Sequence, residues 1–112
     1  MKLTRCSFAL AVCALATCPV LALSEVTTRV VNAGTYSNGN VYVLLEAVVD
    51  EAGCPRAAIE LPANAVNAKT VLAAAFFAMS SGKSIAVRTN TCYLGIPSFD
   101  ASVRNAYFGV AN

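Results

Sequence analysis

The chain contains no histidine. Histidine is the commonest general base, the usual partner of a nucleophilic Ser or Cys, and the commonest metal ligand. The six carboxylates are scattered. Asp50 and Glu51 are adjacent, but they fall where an alternating segment meets a turn, and carboxylates there are ordinarily solvated. Paired-carboxylate chemistry needs two such groups facing each other across a cleft, and nothing in the spacing provides that. No glycine-rich phosphate loop is present. The expectation is a chain with no catalytic residues, no metal site and no cofactor.

The cysteines come next, and the N-terminus decides how they are used. Lys2 and Arg5 open the chain, and Cys6 to Thr17 is apolar, small and uncharged. Pro19 interrupts that run, and Val20-Leu21-Ala22 places compact residues at the −3 and −1 positions of a cleavage site. This is the order of a secretory signal. It predicts a signal peptide over residues 1–22 and one domain over residues 23–112; cleavage after Ser24 fits nearly as well. A membrane anchor requires roughly 20 apolar residues, and the run is shorter, so no transmembrane span is expected. Leu15-Ala16-Thr17-Cys18 also resembles a lipoprotein signal, which would leave the chain lipid-anchored at Cys18 as an accessory protein of the envelope. Thr17 and Pro19 fit that route poorly.

Removing residues 1–22 takes three of the five cysteines: Cys6, Cys13 and Cys18. Cys54 and Cys92 remain, an even number in an oxidising compartment, and are expected to form a disulfide. A thiolate nucleophile or zinc site is therefore not expected. Closing a loop of this length contributes about 4 kcal/mol on the chain-entropy account. Loss of Lys2 and Arg5 lowers the basic count from 8 to 6, against 6 acidic residues. The mature chain is near neutral and offers no basic patch for nucleic acid. The expected location is the periplasm or the exterior.

The remaining candidates are binding residues. Tyr36 and Asn38 fall in the first polar loop, and Tyr93 adjoins Cys92. Tyrosine rings beside amides can stack on sugars and bond their hydroxyls. Their ordinary role is to fill a loop or pack on a sheet, as expected for Tyr42 and Tyr107. Tryptophan is absent, which counts against a lectin. Phe76 and Phe77 are consecutive on a helical segment, so they point in different directions. Phe77 with Ala73 and Ala74 either packs under a loop or forms a contact with another subunit.

Periodicity places these residues. Residues 26–33 are rich in β-branched side chains and read as a strand. Gly34 to Asn40 reads as a loop with Asn38-Gly39 at a hairpin tip. Val41 to Asp50 alternates, with Val41, Val43, Leu45, Ala47 and Val49 on one face and Tyr42, Leu44, Glu46, Val48 and Asp50 on the other. A third strand spans Arg56 to Leu61 and ends at Pro62. From residue 67 the period becomes helical: Ala68, Leu72, Ala75, Phe76 and Met79 share a face, with Asn67 as N-cap and Gly82 as C-cap. Ser84 to Thr89 is a strand that resumes at Cys92 to Leu94. Gly95 to Ser98 reads as a loop, and Val103 to Val110 as the last strand.

This order, β-β-β-α-β-β, resembles the oligonucleotide/oligosaccharide-binding (OB) fold, a small five-stranded barrel. The expected fold class is mainly β with one helix, an OB-like barrel closed by Cys54–Cys92. The chain also resembles a broad group of small secreted bacterial proteins of unknown function. The resemblance rests on Asn38-Gly39-Asn40-Val41-Tyr42-Val43, Cys54, the alanine-rich Lys69 to Met79, Ser81-Gly82-Lys83-Ser84-Ile85-Ala86-Val87, and Cys92. The helix–glycine–strand join is more distantly similar to the B subunits of subtilase-type and pertussis-like AB5 toxins, which have this fold, form pentamers and bind glycans. Those subunits place a serine on the first strand against the sugar. Residues 26–33 carry Thr27, Thr28 and Arg29 instead, so no glycan-contacting residue carries over. Residues and resemblance together lead to an expected function as a non-enzymatic exported binding module, with a glycan or protein partner and a possible homo-oligomer. A structural or accessory envelope protein is the alternative.

Overall fold

A computed structural model describes residues 25–111. The expected signal peptide, residues 1–22, and the alternative lipid anchor at Cys18 lie outside the described residues.

Among the described residues, eight strands and one helix follow in the order β1 (Val26–Thr28), β2 (Val30–Thr35), β3 (Val41–Val49), β4 (Arg56–Leu61), α1 (Ala68–Ser81), β5 (Ser84–Arg88), β6 (Thr91–Tyr93), β7 (Ile96–Ser98) and β8 (Tyr107–Ala111). They form three open antiparallel sheets: β1-β5-β8, β2-β3-β4, and the hairpin β6-β7. The helix lies between the third and fourth expected strands, as the periodicity requires. The closed five-stranded barrel does not form. The expected first strand breaks at Arg29, so its two pieces join different sheets. The β2–β3 register then shifts between Val30 and Asn32, and the β3–β4 register between Leu44 and Val49. Such irregularities bend a strand and interrupt its ladder. No ladder connects the two three-stranded sheets.

The alternation of β3 is realised. Val41, Val43, Leu45 and Val49 are buried; Leu44, Glu46, Val48 and Asp50 are exposed. The inner face joins Ile59, Leu61, Ile85 and Val87 in one core. Burying a side chain of this kind is worth about 1.5–3 kcal/mol before conformational entropy is counted.

Helix α1 closes the core, but on a different face from the expected one. Ala68, Val71, Ala75 and Ala78 are buried, whereas Phe76 and Met79 are exposed. The helix is rotated by roughly 60° from the face that hydrophobicity alone selects, at 100° per residue. Three of the four buried positions are alanines, whose small side chains allow a helix backbone to approach a sheet closely. Gly82 ends the helix in the left-handed conformation, φ 70°, with Lys83 N donating to the Ala78 carbonyl at 3.0 Å. This is a glycine C-cap. Asn67 occupies the N-cap position but its side chain caps nothing.

Two further expectations change near the C-terminus. Residues 96–98 are a strand, paired with β6 through a two-residue turn at Leu94 and Gly95. The last strand starts at Tyr107, since residues 99–106 form a loop in which Ser102 N and Oγ donate to Asp100 Oδ1. Among the described residues no helix is long and apolar enough to cross a membrane.

Candidate functional site

Cys54 and Cys92 are bonded across 38 residues of sequence. The bond joins the β3–β4 turn to β6. Thr89 Oγ1 donates to Glu51 Oε1 at 2.6 Å nearby, so the turn carrying Asp50 and Glu51 is held on the fold. Among the described residues no three His, Cys, Asp or Glu gather as a metal site would require.

Two of the three tyrosine-loop candidates meet at a residue the sequence reading passed over. Asn40 is 5% exposed. Its Nδ2 donates to Glu60 Oε2 and to the Tyr93 hydroxyl oxygen, each at 3.1 Å. Its Oδ1 accepts from Ala63 N at 3.0 Å, and its own N donates to Asn38 Oδ1 at 3.0 Å. Exposed Asn38 and half-buried Tyr93 are thereby both bonded to Asn40. Tyr36 stacks on Tyr42 with ring centroids 4.9 Å apart, and remains exposed on its other side. Gly34 makes room for this pair, because a Cβ there would come within 2.8 Å of the Tyr42 hydroxyl. The arrangement ties the β2–β3 turn to β4 and the β6–β7 hairpin. The hint in the sequence was a glutamate within an apolar run, Ala57 to Leu61, and an asparagine just before β3.

The interface candidates sit on the outer side of α1. Ala73 and Phe77 are exposed and Ala74 is half-buried. Phe76, expected in the core, joins them: it is 48% exposed and Phe77 is 54%. The two rings flank a ridge of small side chains, Ala73 and Ser80, on a helix that carries no acidic residue. Lys69 stands in the first turn and Lys83 just beyond the last.

A groove of about 310 Å³ lies between the N-cap Asn67 with Thr70 and Val71 of α1 and Phe99, Arg104 and Tyr107 of the C-terminal segment. Ser102 holds the Asp100 carboxyl below its ordinary value of 3.8 through its hydroxyl and its backbone N–H. The bond from the Tyr107 hydroxyl to Glu25 raises the Tyr107 pKa above 10.0. The Arg88 guanidinium lies 5.6 Å from the centre of the Tyr107 ring, a cation–π separation.

A second exposed apolar area lies on the far side of the β2-β3-β4 sheet. Val31, Leu44 and Val48 are all exposed there. The outward face of β4 is covered, since Ala58 and Glu60 are buried where the β6–β7 hairpin crosses through Asn40 and Tyr93. The β2–β3 part has no such cover among the described residues. Its sequence signal was Leu44 and Val48 on the strand face that carries Glu46 and Asp50.

Compared with protein families, with curated proteins and with solved structures, the chain finds no match.

Proposed function

We propose that the mature chain is an exported, non-enzymatic binding module that works by contact with protein, and that its docking surface is the outer face of α1. The observation that carries this reading is the pair Phe76 and Phe77, each about half exposed beside Ala73 on a rigid helix. Contiguous exposed apolar side chains of this size are characteristic of interaction surfaces, and aromatic residues dominate the energetics of such contacts. The small ridge between the rings allows close approach of a partner backbone. A protein partner is favoured over a glycan because Asn38 and Tyr93 already bond Asn40.

The test is site-specific photocrosslinking in the producing cell, with a photoreactive phenylalanine analogue at position 77 and, as control, at Val66. The expected result is a discrete protein adduct from position 77 and none from position 66. No protein adduct from position 77, or the same adducts from both positions, would contradict the docking surface. A glycan array with the mature protein is expected to stay blank.

A further inference from the structure

We infer that Asn38 is a site of covalent self-modification. Its side chain closes on the Gly39 nitrogen, loses ammonia and is hydrolysed to aspartate or isoaspartate, and the isoaspartyl product unlatches the β2–β3 turn from Asn40. The inference is independent of what α1 touches. Asn38 is exposed at the tip of the hairpin, and no other asparagine of the chain precedes glycine. Glycine leaves the attacking nitrogen unhindered, and the fold itself requires it at this position. Gly39 has φ 91°, a conformation that residues with a side chain disfavour, and a Cβ there would stand 3.0 Å from the Ala63 Cβ. The Asn38 amide is also activated. Its Oδ1 accepts from Asn40 N at 3.0 Å, and a donor at that distance stabilises the negative charge this oxygen gains as the tetrahedral intermediate forms. One contact opposes the step. Gly39 N donates to Tyr36 O at 2.9 Å, so the turn must open before the nitrogen can attack. An exposed hairpin tip opens at low free-energy cost, and that opening sets the rate in the folded protein.

In the first step the bond between Gly39 N and Asn38 Cγ forms, and the bond from Cγ to the side-chain amide nitrogen breaks. That nitrogen leaves as ammonia and takes up the proton lost from Gly39 N. Water then opens the cyclic imide at one of its two carbonyl carbons. Opening at Cγ gives aspartate, whose carboxylate still accepts from Asn40 N. Opening at the main-chain carbonyl carbon of position 38 gives isoaspartate, which routes the backbone through Cγ and lengthens it by a methylene. The bonds from Gly39 N to Tyr36 O and from Asn40 N to Asn38 Oδ1 close short loops, and the added atom breaks their geometry. Asn40 then loses the turn that places it against Glu60, Ala63 and Tyr93.

Ageing the mature protein in mildly alkaline buffer tests this. One sample is folded and oxidised; a second is reduced and unfolded in guanidinium chloride. Peptide mass mapping follows each asparagine, and an isoaspartyl methyltransferase assay counts isoaspartate. The expected result is that the folded sample converts at position 38, as both isomers and with release of ammonia. Asn32, Asn64 and Asn105, also exposed but followed by alanine, are expected to stay intact over the same period. A folded sample still unchanged after the unfolded one has converted fully would overturn the proposal, as would first conversion at another asparagine. The unlatching is read separately. The isoaspartyl form, isolated by chromatography, is expected to unfold at a lower urea concentration than the starting protein, whereas Asn38→Asp keeps the original midpoint. Equal midpoints for the isoaspartyl form and Asn38→Asp would overturn the unlatching.

Discussion

Asn40 satisfies three groups at once with its side chain: the Ala63 N–H, the Glu60 carboxylate and the Tyr93 hydroxyl. Asn40→Ala removes all three partners and leaves the Glu60 carboxylate, 5% exposed, without its donor. A stranded buried polar group costs more than the net worth of its hydrogen bond, so the variant is expected to lose about 2–4 kcal/mol. Tyr93→Phe removes one bond and is expected to lose about 1 kcal/mol. Urea denaturation of the two variants checks the ranking; equal losses would mean that the bonds of Asn40 to Glu60 and Ala63 add nothing beyond the one to Tyr93. At this scale the sequence pointed to Asn38 and Tyr93 but not to what joins them. The joining residue is far from both Glu60 and Tyr93 in sequence, and its role depends on which strands meet.

The elements were legible where one physical signal dominated. The alternation of β3 and the Asn67–Gly82 limits of α1 follow from periodicity and from the C-cap glycine. The facing of α1 did not, because it is set by the fit of small side chains against the sheet rather than by hydrophobicity, and alanine contributes little to an apolar stripe. The β6–β7 hairpin carries no usual turn signal. Its turn contains Leu94 at φ 55°, a conformation usually reserved for Gly, Asn or Asp. Leu94 is 73% exposed, so its side chain gains little in return. Leu94→Asn is expected to stabilise the protein by about 1 kcal/mol, read as a raised urea midpoint with unchanged slope. An unchanged or lowered midpoint would show that Leu94 makes a contact that offsets the strain.

For the whole molecule, the Cys54–Cys92 bond is the one expected from cysteine parity once residues 1–22 are set aside as an expected signal. The position of the helix was equally readable, whereas five strands were expected and the described residues form eight in three open sheets. The barrel was not, since closure depends on continuous ladders, and the breaks at Arg29 and near Val30 and Leu44 open them. With a limited core, the covalent link has a large share in stability. Reduction, or Cys54→Ala with Cys92→Ala, is expected to lower the unfolding free energy by about 4 kcal/mol; a loss below about 1 kcal/mol would show that the hydrogen bonds around Asn40 and Glu51 hold the turn and hairpin without it.

If the outer face of α1 is a working interface, a probe placed on it must touch a partner. The measurement is photocrosslinking in the producing cell from position 77, beside the same probe at position 66, with Phe77 and Val66 both exposed. The predicted result is a discrete protein adduct from position 77 and none from position 66. No protein adduct from position 77, or the same adducts from both positions, would contradict it.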